Sequence, residues 1–136
     1  ETSVGCDRSL IAILCDSYRV ENEGDKENER TVLKMNPKLS PIKVAIMPLM
    51  KKGNLEEVAR KVFSDVQKYY KAEYDVAGSI GKRYRRQDEI GTPFCLTVDY
   101  DSLEDQALTV RDRDTMKQER VSIENIIDYL KDKFDF

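Results

Sequence analysis

Lys82, Arg83, Arg85 and Arg86 set four cations around Tyr84, an arrangement that can grip phosphates while leaving an aromatic plane for stacking. The same spacing also describes the wet face of a helix. Further along, Arg111-Asp112-Arg113-Asp114 alternates in sign at every residue. In an extended strand Arg111 and Arg113 would share one face, and Asp112 and Asp114 the other. A guanidinium donates to O2 and N3 of an unpaired cytosine, while the exocyclic amino group needs a carboxylate or carbonyl acceptor, so Arg beside Asp suits a splayed pyrimidine. An internal Arg/Asp ion-pair network at a strand end fits the same four residues equally. Thr97 and Asp99 share a face if their strand is regular, with Tyr100 just beyond it. Tyr100 is then either a stacking platform worth about 1 to 3 kcal/mol per base, or a strand-end aromatic packed on the domain.

Several chemistries are removed by composition. The chain has no histidine, so Ser/His/Asp and Cys/His nucleophilic machinery is absent. Cys6, Cys15 and Cys95 are odd in number and show no C-x-x-C spacing, which predicts neither a disulfide framework nor a zinc site and points to the reducing cytoplasm. Cys95, within Phe94-Cys-Leu96, reads as a small buried hydrophobe. Charged residues make up 36% of the 136, yet the net charge is only -3. The field of the whole molecule therefore announces no partner, and any anion-binding face must be local. No window approaches the roughly 18 consecutive apolar residues of a membrane span, and the start carries no signal-peptide pattern, so a soluble chain with one core is expected.

The elements that must position these residues follow from spacing. Ile11, Leu14, Cys15 and Tyr18 recur at helical intervals and predict a first helix whose stripe must bury against something. Val20 to Arg30 is acidic and nearly free of apolar side chains, which predicts a solvated connector. Thr31 to Met35 is a candidate short strand ended by Pro37. Pro41 to Met50, rich in Ile and Val, reads as a strand buried on both faces. Asn54 and Glu57 have capping-box spacing ahead of a helix through Leu55, Val58, Ala59, Val62, Phe63, Val66, Tyr69 and Tyr70. Tyr74 to Ala77 is a second strand, Ile80 to Ile90 a helix closed by Gly91 and Pro93, and Phe94 to Val98 a third strand. Ser102 to Gln106 reads as a loop. Strands over Leu108 to Arg111 and Glu119 to Val121 precede a closing helix capped by Ser122 and lined by Ile123, Ile126, Ile127, Leu130 and Phe134. This order predicts an α/β fold with a mixed sheet of about five strands flanked by helices.

Five runs, in order, carry a resemblance: Glu1-Thr-Ser3-Val-Gly5-Cys-Asp-Arg8, Leu39 to Leu49, Gly78 to Phe94, Thr97 to Asp101, and Val110 to Asp114. Together they resemble the C-terminal part of the dimeric class II glycyl-tRNA synthetases. The block from Gly-Ser-Ile-Gly81 to Asp88-Glu-Ile-Gly91 is the most specific. Thr2 departs from the family, which usually has Pro there.

The resemblance implies a mixed five-stranded sheet flanked by three helices and preceded by one helix. It divides the chain into residues 1–20, a C-terminal remnant of the aminoacylation domain (motif 3), an acidic linker over 21–30, and an anticodon-binding domain over 31–136. It implies that Glu1, Ser3 and Gly5 touch glycine, that Gly5 and Arg8 hold ATP, and that Tyr84, Arg86, Thr97, Tyr100 and Arg113 read the anticodon. Lys82, Arg83 and Arg85 would hold the tRNA backbone. Glycine tRNAs share cytosines at the second and third anticodon positions, so these would be the bases read. ATP with magnesium, glycine, glycine tRNA and a homodimer belong to the full-length cytoplasmic enzyme, with no membrane partner. The fragment alone is expected to lack cofactors, the other motifs of the pocket and catalytic competence. The alternative implied by kinship is a non-catalytic module used for protein or DNA contacts, as in the accessory subunit of the mitochondrial DNA polymerase. Glu1, Ser3, Gly5 and Arg8 argue against that reuse, because a non-catalytic relative has no need to grip ATP.

Overall fold

The computed structural model describes residues 2–135. Helix α1 (Cys6–Ser17) leads directly into strand β1 (Tyr18–Glu21), which pairs antiparallel with β2 (Arg30–Leu33) in a separate two-stranded ribbon. The remaining elements are β3 (Val44–Pro48), α2 (Gly53–Val66), β4 (Ala72–Tyr74), α3 (Ile80–Ile90) and β5 (Phe94–Val98), then α4 (Ser102–Asp105), β6 (Ala107–Asp112), β7 (Gln118–Ser122), a 3₁₀ turn (Ile123–Asn125) and α5 (Ile126–Phe134). The five-stranded sheet has the order β4-β3-β5-β6-β7. Its β3 is parallel to both β4 and β5, while β6 and β7 join antiparallel, so the sheet is mixed as expected.

Strand alternation builds two unequal layers. Val44, Ile46, Phe94, Leu96, Val98, Leu108 and Val110 point to one side, where α2 and α5 close the main core with Leu55, Ala59, Val62, Val66, Ile126, Leu130 and Phe134. Each fully buried aliphatic chain of this kind contributes about 1.5 to 3 kcal/mol, so this layer fixes the sheet. On the other side Ala45, Met47 and Cys95 pack against Ile80 and Tyr84 of α3. That helix covers β3 and β5 and reaches β6 at Arg111, which pairs with its Asp88. Beyond it the same face continues through Thr97, Thr109 and Arg120, which stand opposite one another across β5, β6 and β7, and through Gln118, opposite Arg111.

The ends of α3 are chemically explicit. The Ser79 hydroxyl accepts from the Lys82 N–H at 3.4 Å, and Gly91 ends the helix with φ 81° while its N–H returns to the helix's last carbonyls. A Cβ at Gly91 would approach the Met35 Cε to 2.7 Å and the Leu33 carbonyl oxygen to 3.1 Å, so the residue must be small as well as left-handed.

Several expected details differ. Helix α2 starts at Gly53 after Lys52, with no side-chain cap. The Lys52 carbonyl accepts the Glu56 N–H at 3.1 Å, which places Asn54 inside the first turn rather than at the cap. Strand β4 lies at 72–74 because Val44 to Ile46 pair with Ala72 to Tyr74, after which Asp75 bonds back to Ile46 and the chain turns away. Residues 102–105 form one helical turn held by Ser102 on Asp99, where a loop was expected. Ser122 precedes a 3₁₀ turn and makes no cap bond. The helical stripe stops at Ser17, and Leu10, Ile11 and Leu14 are exposed among the described residues.

The acidic run is likewise tied down at both ends by the β1–β2 pairing, with Glu29 accepting from the Gly24 N–H. Arg30, expected at the end of a solvated connector, is 2% exposed.

Candidate functional site

Where α3 stops covering the sheet, a shallow groove of about 240 Å³ opens between Leu49, Ile80, Tyr84, Thr97, Asp99, Thr109 and Gln118. Each wall residue arrives there through register. Helical spacing points Ile80, Tyr84, Gln87 and Asp88 of α3 inward, and strand alternation presents Thr97 and Thr109 side by side on adjacent strands. The Tyr84 hydroxyl and Thr97 Oγ1 share a hydrogen bond of 2.6 Å, which fixes the ring at the groove's inner end. One face of that ring is covered by Arg111, whose Cζ lies 4.8 Å from the centroid. Burial pushes the Tyr84 phenol above its ordinary value, so it stays neutral.

Beneath the groove lies a buried ionic network. Arg111 donates through Nη1 to Asp88 Oδ1 at 2.8 Å and through Nη2 to Oδ2 at 3.1 Å. Arg30 reaches the same carboxylate at 3.3 Å, donates to the Arg113 carbonyl at 2.6 Å and is gripped by Glu21 at 2.6 and 2.9 Å. Bonds from Lys34 hold Glu21 below the usual carboxylate range against its partial burial, with Arg30 adding to the effect. On its open side the groove is bordered by a second cluster. Arg120 Nη1 donates to Asp99 at 3.0 and 2.8 Å and to Thr109 Oγ1 at 3.2 Å, and its Nη2 donates to Asp105 at 2.9 and 2.7 Å.

The expected anticodon residues separate under this geometry. Tyr84 and Thr97 come together. Arg113 does not join them: it is 2% exposed, and its guanidinium donates to the carbonyls of Gly91 at 2.8 Å and Met35 at 2.6 Å and to Asp114 at 2.9 Å. Its donors are filled inside the fold, where it braces the Gly91 and Met35 carbonyls. The internal-network reading of the Arg/Asp tetrad is the one the structure realises, with Asp88 and Asp114 as the anionic partners. Arg86 remains 42% exposed but is pinned by Asp75 through two contacts of 2.6 Å. Tyr100 is exposed and donates to Met50 Sδ at 2.9 Å, bordering a different hollow with Lys52 and Leu103 at the start of α2.

The expected backbone-gripping cations separate too. Arg83 is 4% exposed and donates to the carbonyls of Gly78 at 3.0 Å and Pro48 at 2.6 Å, forming a strut between α3 and β3. Arg85 ties α3 to the ribbon through the Glu29 carbonyl at 2.7 Å. Lys82 is exposed, and its ammonium has no partner among the described residues.

At the other end of the chain Ser3, Gly5 and Arg8 are exposed around the start of α1, while Glu1 lies outside the described residues. A Cβ at Gly5 would meet nothing within 4 Å, so the glycine faces open space. No group of three or more Asp, Glu, Cys or His side chains among the described residues could hold a metal ion. No described helix is long and apolar enough to cross a membrane.

Spacing did not reveal Thr109, Gln118, Arg120 or the buried pair Asp88 and Arg30. The first three become neighbours only through the β5-β6-β7 register. Asp88 was legible in principle, since 80, 84, 87 and 88 fall on one helical face and a charge at the centre of that face asks for a buried partner.

The sequence profile of the family described as the anticodon binding domain matches residues 43–133. The chain is 54% identical over 138 residues to a glycine-tRNA ligase of Ruminiclostridium cellulolyticum, covering 100% of this chain and 29% of that protein. It is 54% identical over 136 residues to a glycine-tRNA ligase of Lachnospira eligens and 53% identical over 136 to one of Bacillus cereus, again over 100% of this chain. The chain spans 29% of the length of these curated relatives. These relatives favour the ligase reading over the non-catalytic alternative.

Proposed function

Because the chain belongs to the anticodon binding domain family, we propose that it is the anticodon-reading part of a longer glycine-tRNA ligase and takes glycine tRNA on the open half of its sheet. The observation that carries this reading is that every residue of the groove, from Leu49 to Gln118, falls inside the matched segment 43–133. Leu49, Ile80 and the uncovered side of Tyr84 offer a base its apolar contacts, and Thr97, Asp99, Thr109 and Gln118 supply polar ones. Tyr100 offers an exposed ring at the neighbouring end of β5, and Lys82, with Arg86 beside it, supplies charge for the phosphates.

In this reading the longer enzyme is a cytoplasmic homodimer that uses ATP, with magnesium, to join glycine to the tRNA. Residues 1–20 add one wall to its aminoacylation pocket, with Glu1 and Ser3 beside glycine and Arg8 on ATP. The 136-residue chain then forms no glycyl-adenylate, and measurable ATP-pyrophosphate exchange by it would contradict that division. The direct test is binding of glycine tRNA against the same tRNA with its anticodon cytosines replaced. Replacement should weaken binding about tenfold or more. Equal affinity for the two would remove base reading from this surface.

A further inference from the structure

Five polar side chains line the groove: Tyr84, Thr97, Asp99, Thr109 and Gln118. Four of them end in a hydroxyl or an amide, groups that turn to donate or to accept as the opposing base requires. An ionised carboxylate can only accept. The geometry points to Asp99 as the residue that selects cytosine over uracil, accepting a hydrogen bond from the exocyclic amino group on the pyrimidine's fourth ring atom. The assignment rests on the anticodon reading proposed above. Uracil carries a carbonyl oxygen at that place, so two acceptors would face each other in a partly dry groove, and both would lose their water.

Asp99 is held for this task from three sides. Its Oδ1 accepts from the Ser102 N–H at 3.0 Å, from the Ser102 hydroxyl at 3.0 Å and from Arg120 at 3.0 Å. Its Oδ2 accepts from Arg120 alone, at 2.8 Å, and so has acceptor capacity left. Partial burial works to raise this carboxyl, and the bonds from Arg120 and Ser102 outweigh it, leaving the group below its ordinary value and ionised at neutral pH. Arg120 is the positioning residue. It reaches Asp99 and Thr109 with one nitrogen while Asp105 and the Ala107 carbonyl hold the other. The pair is thus fixed before a base arrives, so little ordering remains to oppose binding.

The test uses the 136-residue chain and anticodon stem-loop RNAs with cytosine or uracil at the second or third anticodon position. The unaltered chain should prefer cytosine at one of these positions by about tenfold or more. Asp99→Asn presents an amide that serves either base, and should bring that ratio near one. Glu104→Gln removes an exposed carboxylate outside the groove and outside the Arg120 cluster, and should keep the ratio. A matching loss in Glu104→Gln would trace the effect to the general field of nearby carboxylates and overturn the assignment. A third RNA carries 2-pyrimidinone, which is cytosine without its amino group. It should bind the unaltered chain about tenfold more weakly than cytosine does, and this arm decides the matter even if Asp99→Asn does not fold. Equal binding of cytosine and 2-pyrimidinone overturns the role of Asp99. If the chain binds a scrambled loop as well as the glycine loop, the anticodon reading itself falls. If it discriminates between loops while Asp99→Asn keeps the full cytosine preference, only the present assignment falls.

Discussion

Replacing Asp88 by Asn changes one atom at the centre of the fold and should be among its most damaging single substitutions. The carboxylate is fully buried and accepts two bonds from Arg111, at 2.8 and 3.1 Å, and one from Arg30 at 3.3 Å. Two unit charges about 4 Å apart attract by about 4 kcal/mol at an effective dielectric constant of about 20. Arg30 retains Glu21 and the Arg113 carbonyl after the change, whereas Arg111, among the described residues, keeps the Tyr84 ring and one amide oxygen but no carboxylate, and faces an NH2 group where an acceptor stood. Most of the loss therefore falls on Arg111, a guanidinium left in a dry site, and about 3 to 5 kcal/mol is expected. For a chain of this size that lowers Tm by roughly 10 to 20 °C. Urea unfolding should show the lower midpoint at an unchanged slope. Glu21→Gln, at the half-exposed end of the same network, should lose about 1 kcal/mol. Replacing Asp88, Arg30 and Arg111 together by Leu, Met and Met should recover most of the stability, because no charge then remains unpaired. An Asp88→Asn protein within about 1 kcal/mol of the unaltered chain would refute the claim that this carboxylate neutralises the network.

Three further outcomes follow from the same network of contacts. Arg113→Ala strips the buried Gly91 and Met35 carbonyls of their charged donor and should lower stability by about 3 kcal/mol in urea unfolding. The cytosine-to-uracil preference of the folded protein should stay unchanged, and a selective loss of cytosine binding would return Arg113 to the interface. Asp99 and Asp105 both sit below their ordinary value of 3.8, Asp99 for the balance given above and Asp105 chiefly through its bonds from Arg120. A depressed folded value contributes stability that is present above the unfolded value and is lost as pH falls through the folded one. The stability gap between the unaltered chain and Arg120→Gln should then be full at neutral pH and close below pH 3.8, and a gap that persists in acid would refute the pairing. Burial pushes the Cys95 thiol up to about 12, while Cys6 and Cys15 are exposed. An aromatic disulfide reagent should therefore titrate two thiols quickly and the third only as the protein unfolds, and rapid reaction of all three would contradict the burial of Cys95.

The sheet was legible because its signals are local. The apolar runs at Val44 to Pro48 and Phe94 to Val98 and the spacing through α2 need no knowledge of what they touch, and the Gly91 stop fixes α3 from its own sequence. What spacing could not show falls where a side chain's partners depend on distant register. Arg30 closes an acidic, polar run and has the local look of solvent, yet its buried partner lies 58 residues on, at Asp88. Arg83 and Arg113 carry five donors each, which suit phosphates and bases but suit converging carbonyls just as well, and only the fold determines which of these they meet. Leu10, Ile11 and Leu14 show the converse limit, since helical spacing specifies an apolar face without specifying what covers it.

Under the reading proposed above, the arginines committed inside the fold also account for how the groove would discriminate. A base-reading surface built from free, long cations would have to order each of them on binding, at about 0.5 to 1.5 kcal/mol per side chain. Here Arg111 is committed to Asp88 and supports Tyr84 from below, and Arg120 is committed to Asp105 and supports Asp99 from the side. The residues that face the groove are short or planar, and the charged chains behind them are already immobile. Under that proposal specificity resides in the fixed acceptor of Asp99 and affinity in the exposed charge of Lys82. The two separate experimentally: Lys82→Ala should weaken cytosine and uracil loops alike and reduce the slope of log affinity against log salt by about one, whereas Asp99→Asn should alter the ratio between loops at every salt concentration. A Lys82 variant that changed the ratio, or an Asp99 variant whose effect vanished at high salt, would show that charge and base reading are not divided in this way.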